Sequence, residues 1–307
     1  MMRKLMLAAS LLAFVACSQK EDAGDEASAV TVDVTVVMVN PNTVKIIATV
    51  TSEEEITDPF FKVSIADDYT VSGPTVRNFS TNELVDGEMS ILIRELSPDE
   101  LYTFRTRFIH HGVNYDSSTE RFTMPDLPAG LIDMGLSVKW ASTNLGATKL
   151  DDAGNKYAWG ETQPKDSFSR ENYKWSGESE DGFSKYNAKD GLTTLLAEDD
   201  AATVALGEGW RMPTAEEVDE LFKNSVRFYG GYHSIGGLLV YSPITGNTLF
   251  FPMEPLGKNL RSGSFWTANV GSPFFNAISE KIYNDGNKGY ISTLERWEGA
   301  YIRPVSE

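Results

Sequence analysis

The stretch "LSPDELYTFRTRF", residues 96–108, decides the architecture of the first half of the chain. Leu96 and Pro98 lead into Tyr102, and Phe104 follows two residues later on the same face of a period-2 strand. Working outward, Val30, Val32, Val34 and Val36 share one face while Thr31, Asp33 and Thr35 share the other. Val44, Ile46, Ala48 and Val50 repeat the pattern, as do Met89, Ile91 and Ile93. Strands that alternate in this way are half-buried and antiparallel. Turn residues separate them at "NPN" (40–42) and "DG" (86–87). No helical period of comparable strength interrupts the segment, so residues 29–125 are expected to form an all-β sandwich.

The same stretch resembles the E–F corner and F strand of fibronectin type III domains. In that family a Leu and a Pro precede a Tyr whose hydroxyl bonds to upstream backbone, and Leu96, Pro98 and Tyr102 match those places. The resemblance implies an immunoglobulin/fibronectin III-like sandwich, with "STERFTMP" (118–125) as its closing strand. His110 and His111 are expected in the loop before that strand, as a solvated turn, because no third metal ligand is visible. The domain reads as a spacer.

Composition shifts beyond it. Trp140, Trp159, Trp175, Trp210, Trp266 and Trp297, all the tryptophans of the chain, lie past residue 130. "MPDLPAG" (124–130) carries two prolines and a glycine, which places a linker at 126–130. In the remaining segment, 131–307, "GWRMPTAEEVDELFKN" (209–224) predicts a helix. Thr214 is its N-cap, Glu217 completes a capping box, and Val218, Leu221 and Phe222 form the apolar face. A shorter helix is expected near "EDDAATVAL" (198–206). Short strands follow: "LLVYSP" paired with "NTLFFP", then "SFWTANV", "AISEKIY" and "GAYIRPV".

The order of several pieces is familiar: "DMGLSVKWASTNLGA" (133–147), "YAWGETQ" (157–163), "EDDAA" (198–202), "GWRMPTAEEVDEL" (209–221), "SFWTA" (264–268) and "YIRPV" (301–305). Together they resemble the FISUMP-type major paralogous domain of secreted and surface proteins from Bacteroidota-like bacteria. The resemblance implies an α+β C-type-lectin-like fold, related to that of formylglycine-generating enzymes, in which both chain ends enter one sheet. It does not imply a ligand.

Several inherited chemistries fail on side chains. Calcium-dependent lectins use a Glu-Pro-Asn or Gln-Pro-Asp triplet and a later Trp-Asn-Asp. Here the nearest pieces are Glu254-Pro255-Leu256 and Trp266-Thr267-Ala268, which lack three oxygen ligands of the six to eight that Ca²⁺ takes. No cofactor is expected; Ca²⁺ is the one candidate raised, and its lectin motif is absent. "NDGN" (284–287) reads as a polar turn. Formylglycine-generating chemistry needs cysteines, and none lies beyond Cys17. "GYHSIGG" around His233 lacks the G-x-S-x-G elbow, and no phosphate-binding GxxxxGK[ST] loop occurs. A glycosidase needs only two carboxylates, so a carboxylate-dependent carbohydrate-active enzyme stays as an alternative.

The amino terminus speaks to location. Arg3 and Lys4 precede an apolar run, Leu5 to Val15, too short for a membrane span and the size of a signal-peptide core. Ala16 and Cys17 then resemble a bacterial lipobox, with Phe14 at the position three before the cysteine. The resemblance implies cleavage after residue 16 and a lipid on Cys17. Residues 17–28 contain Glu21, Asp22, Asp25 and Glu26 and no large apolar side chain, so they are expected to form a flexible acidic tether. An acidic cluster there also resembles a surface-export signal, which points to the outer membrane and its exterior face. The net charge of −17 opposes binding to nucleic acid or anionic headgroups, leaving the lipid as the membrane contact.

The expected function is therefore non-enzymatic: a surface lipoprotein that binds an extracellular glycan or protein. A structural subunit of a fimbria-like or glycan-uptake complex is the alternative from a different class. The candidate ligand residues are Trp159, Trp175, Tyr186, Glu254, Trp266, Asn269, Asp285 and Trp297. Trp175 and Tyr186 are included because they lie in a long irregular stretch, 169–191, and such segments are often functional.

Overall fold

The computed structural model describes residues 11–14, 30–67, 76–116, 119–178, 182–233, 235–256, 260–271, 276–283 and 290–307. Cys17, the acidic stretch behind it and Asp285 lie outside them. The chain divides into two compact units, Met1–Asp126 and Leu127–Glu307.

Unit 1 is all β. Its strands are β1 (Leu11–Phe14), β2 (Thr31–Asn40), β3 (Thr43–Thr51), β4 (Phe60–Asp67), β5 (Val76–Thr81), β6 (Glu88–Ile93), β7 (Leu101–His110), β8 (Val113–Asp116) and β9 (Glu120–Thr123). They form two antiparallel sheets, β1-β2-β3-β6 and β5-β4-β7-β8, with β9 also on β7. The alternating apolar positions meet in a single core: Val34, Val36 and Ile46 from one sheet, Phe61, Val63 and Phe104 from the other. Burying each such side chain stabilises the sandwich by about 1.5–3 kcal/mol. At the "DG" turn Asp86 and Gly87 have φ of 51° and 80°, as a two-residue type I′ connection requires. Tyr102 is buried, stacks on Phe122, and its hydroxyl accepts the Ser97 N–H at 2.8 Å. That bond pins the chain's entry into β7. At the sheet edge, β1 pairs with β2, Leu11 opposite Val37 and Phe14 opposite Val34.

His110 corrects the loop assignment. It is the last residue of β7, is buried, and its Nδ1 lies 3.2 Å from the Thr57 carbonyl oxygen. The turn begins one residue later, at His111 and Gly112 with φ of 50° and 76°. The inward period of β7 therefore carries His110 inside.

Among its described residues unit 2 is mostly β, with two short α-helices. A small sheet joins its two ends: β10 (Leu131–Ile132), β11 (Lys139–Ala141), β20 (Val305–Ser306) and β12 (Trp210–Arg211), in that order. Between them run α1 (Ala201–Leu206), α2 (Ala215–Lys223), β13 (Val226–Tyr232), β14 (Ile235–Tyr241), β15 (Thr248–Pro252), β16 (Glu254–Pro255), β17 (Arg261–Val270), β18 (Asn276–Tyr283) and β19 (Tyr290–Glu295). β13-β14-β15 and β16-β17-β18-β19 form two further antiparallel sheets. The helix α2 has the expected box: Thr214 Oγ1 accepts the Glu217 N–H, and the Glu217 carboxylate accepts the Thr214 N–H at 2.8 Å. Its Val218, Leu221 and Phe222 pack in one cluster with Trp140, Leu238, Phe251 and Phe265. Leu127 is buried with Tyr232, Leu239 and Phe250, so this linker residue belongs to the core of unit 2.

"GAYIRPV" supplies only β20 as regular strand, while Ala300 and Tyr301 make single bridges to Tyr157 and Phe265. Arg303 explains the interruption. Its buried guanidinium donates to the carbonyls of Ala141, Ser142 and Phe250, drawing the chain inward where a ladder would otherwise run. Among the described residues no helix is long and apolar enough to cross a membrane.

Candidate functional site

Among the described residues between Glu161 and Leu196 unit 2 has no strand, yet they are closely tied to the core. The Glu161 carboxylate accepts the Lys165 ammonium at 2.9 Å and the Lys174 N–H at 2.7 Å. Asp190 accepts the N–H groups of Tyr186 and Asn187. The Tyr173 hydroxyl donates to the Trp159 carbonyl, and Trp175 Nε1 donates to the Gly160 carbonyl. Asp200 in turn caps α1 through the Ala202 and Thr203 N–H groups and holds the Met212 N–H. Backbone groups that would be paired in a sheet are thus satisfied by side chains.

Two charged residues organise the segment from below. Asp199 is buried, with its side chain 3% exposed. It binds Lys185 at 2.6 Å, Lys174 at 3.1 Å and the Tyr186 hydroxyl at 2.8 Å. Burial alone would push its carboxyl up, but hydrogen bonds from Lys185, Tyr186 and Lys174 outweigh that and hold it below the ordinary range. Lys185 is raised in response, chiefly by its bond to Asp199. Arg296 is fully buried, donates to the Tyr186 and Lys185 carbonyls at 3.0 Å, and lies over the rings of Phe183 (4.3 Å) and Trp159 (4.8 Å).

The outer surface of this segment carries cations laid on aromatic rings. The Lys174 ammonium sits 4.1 Å from the Trp175 ring centre and that of Lys185 sits 5.1 Å away. The exposed Arg170 guanidinium lies 5.5 Å from the Trp297 ring centre and 5.8 Å from that of Phe183. Gly182 makes room for it: a Cβ there would lie 2.0 Å from Arg170 Nη2, and the φ of +80° favours glycine. Each cation–ring contact is worth about 0.5–1 kcal/mol at an exposed site. Trp175 and Trp297 are half-buried and pack on the same cluster, Ala158, Tyr173 and Phe183. The surface therefore offers ammonium and guanidinium donors on aromatic supports.

The candidate residues separate into groups. Trp159 and Trp266 are core rings, 0% and 1% exposed, which corrects their assignment to a ligand face. Their indoles donate to the Thr267 and Tyr157 carbonyls, so no polar atom remains to reach outward. Tyr186 is likewise buried, its hydroxyl spent on Asp199 and the Leu196 N–H. Trp159, Trp175 and Tyr186 do come together, with ring centres 5.1 and 6.1 Å from that of Tyr186. Glu254 is exposed but bound to Lys156 (2.7 Å) and the Tyr301 hydroxyl (2.5 Å). Asn269 supports a helix start, its Oδ1 accepting the Ala215 N–H at 2.8 Å. Asp285 is outside the described residues.

Arg170, Lys174, Lys185, Asp199 and Arg296 were missed. A cue was present in "KW" at 174–175 and "RW" at 296–297, where a cation precedes a tryptophan. Among the described residues no three His, Cys, Asp or Glu side chains gather as a metal site would need.

No family model and no curated protein matches this chain. Among solved structures it is similar to a myokine structure at 18% identity, over 31% of this chain and 94% of that one, with a TM-score of 0.25. The third fibronectin III domain of the human KIAA0343 protein matches at 11% identity, over 36% and 96%, with a TM-score of 0.23. A DUF4784 family protein from Bacteroides caccae matches at 8% identity, over 83% of this chain and 48% of that one, with a TM-score of 0.17. The strand pairing of this chain, not these likenesses, defines its fold.

Proposed function

We propose that the chain is a non-enzymatic surface lipoprotein whose unit 2 binds an extracellular glycan or protein. Lipid on Cys17 would hold it to the outer membrane, facing outward. Unit 1 would follow the fibronectin type III plan, and unit 2 the C-type-lectin-like plan of the FISUMP domain. The sheet that joins both ends of unit 2 supports the second assignment.

The observation that carries the binding reading is the set of ring-held cations, Arg170 on Trp297 and Phe183 and Lys174 on Trp175. Donors already held in place lose little freedom when a ligand arrives, and charged donors make the stronger hydrogen bonds to carboxylate and hydroxyl oxygens. The test is a glycan array and a panel of extracellular proteins probed with the full-length chain. Arg170→Gln, and Gly182→Ala, which forces Arg170 off its rings, should each weaken the bound species about tenfold. An array and panel that both stay empty for a folded chain would sink the reading. Anchoring is checked separately by metabolic palmitate labelling, which Cys17→Ser should abolish.

A second reading has its own observation. Strand β1 covers the outer edge of β2, and cleavage before Cys17 would take β1 away. The exposed N–H and C=O groups of β2 would then be a template for a strand from another protein, as in a structural subunit of a surface assembly. Recovery of the processed chain from membranes as a lone monomer would count against it.

A further inference from the structure

The outer face of the sheet containing β4 and β7 carries positive charge that the chain's net charge of −17 makes unexpected. In register, Lys62 stands opposite Arg107 and Ser64 opposite Arg105, while Arg121 on β9 stands opposite Thr103. Like charges on facing positions work against a sheet, and the core of the sandwich lies on the other side, so packing does not ask for them. Asp116 is the one carboxylate on the outward strand positions described. It accepts Arg107 through Nε at 2.6 Å and Nη2 at 2.7 Å. That hydrogen bond first, and the fields of Arg107 and Arg105 with it, hold Asp116 below the ordinary carboxylate range against the opposing effect of burial. Arg105 donates to the Thr119 hydroxyl. Among the described residues no carboxylate lies within ion-pair distance of Lys62 or Arg105. An open depression of about 360 Å³ lies between these side chains.

We propose that this face is a second binding surface, separate from the loop surface of unit 2, and that it takes an anionic polysaccharide whose carboxylate or sulfate groups engage Lys62, Arg105 and Arg107. Charge complementarity selects an anion, and the guanidinium forks suit its paired oxygens. The rest of the face selects a glycan over an acidic protein. Ser64 and Thr103 on the central strands, with Asn78 and Ser80 on the edge strand β5, match sugar hydroxyls, and apolar side chains such as Phe60 and Val76 stand at the margins. Protein partners dock on a desolvated centre with aromatic anchors, and among the described residues the central positions of this face carry none. Asp116 serves as the internal stand-in, holding Arg107 until a stronger polyanion competes for it.

The experiment measures binding of the full-length chain to heparin and to polygalacturonate, with dextran as the neutral control and polyglutamate as the peptide rival. Heparin and polygalacturonate should bind, and binding should fall steeply between about 50 mM and about 500 mM salt, as screening shortens the range of charge. Lys62→Gln with Arg105→Gln should weaken binding at least about tenfold, the scale of lost charged hydrogen bonds. Asp116→Asn, which frees Arg107, should strengthen it, a gain that a purely structural role would not give. Lys45→Gln, on the opposite sheet of unit 1, should leave it unchanged, which confines the effect to this face. Unfolding curves establish that each variant is folded. Unaltered binding by the double variant, no gain from Asp116→Asn, equal binding of dextran, or tighter binding of polyglutamate would each overturn the proposal.

Discussion

Asp199 and Asp200 are neighbours in sequence with opposite titration behaviour. For Asp200 burial dominates and pushes the carboxyl up, despite three backbone N–H bonds. For Asp199 burial pushes the same way, but Lys185, Tyr186 and Lys174 overcome it and the carboxyl is lowered. A lowered carboxyl contributes stability that is fully present above the unfolded value of about 3.9 and is lost as pH falls through the lower folded value. Asp200 has the reverse sign, so the two offset each other in acid and must be separated by substitution. Asp199→Asn should cost unit 2 ~2 kcal/mol at neutral pH, the worth of its charged hydrogen bonds. The gap from the wild-type chain should narrow as pH falls below about 4, where the unfolded chain takes up the proton, and close as pH passes the lower folded value. Urea titrations at a series of pH values measure it, and a gap independent of pH would refute this account. "EDDAATVAL" announces a short helix, but its pattern does not say which carboxylate is buried against lysines, since only tertiary packing decides that.

At the scale of elements, the chain was most legible where a local pattern carries its own partner. Thr214 and Glu217 cap α2 because both halves of the box lie within four residues. Strands β2, β3 and β6 bury the faces their alternation marks, and β14 pairs with β15, Leu239 opposite Phe250. Strand β13 was not seen, since Gly230 and Gly231 break the β-rich signal of "VRFYGGY". The 169–191 stretch reads as irregular, as its described residues are, but not as firmly tied, because its bonds join side chains to distant backbone. For the same reason the tryptophans were ambiguous: Trp159 and Trp266 are core, while Trp175 and Trp297 reach the surface, and composition does not separate the two cases. The capping box gives a test confined to one element. Thr214→Ala removes one cap acceptor and should cost about 1 kcal/mol, seen as a lower urea midpoint with an unchanged slope. A midpoint equal to wild type would mean that Asn269, which accepts the adjacent Ala215 N–H, suffices alone.

At the scale of the molecule, each unit closes its own hydrophobic core. One cluster runs from Val30 to Met124, and every other cluster lies between Leu127 and Val305. Separate cores lead to separate unfolding transitions, a case in which a single two-state treatment fails. The distribution of tryptophan makes this directly measurable, because all six lie in unit 2. Tryptophan fluorescence therefore reports unit 2 alone, while far-ultraviolet circular dichroism reports the strands of both. The two curves should not coincide in urea. The substitutions that distinguish them are already defined by geometry. Thr214→Ala should move the fluorescence transition. Tyr102→Phe removes the hydroxyl that accepts the Ser97 N–H and should destabilise unit 1 by about 1 kcal/mol. It should therefore shift one component of the dichroism curve and leave fluorescence where it was. A fluorescence midpoint that follows Tyr102→Phe would show that the two units unfold as one, and the spacer-and-module organisation would have to be abandoned for a single cooperative body.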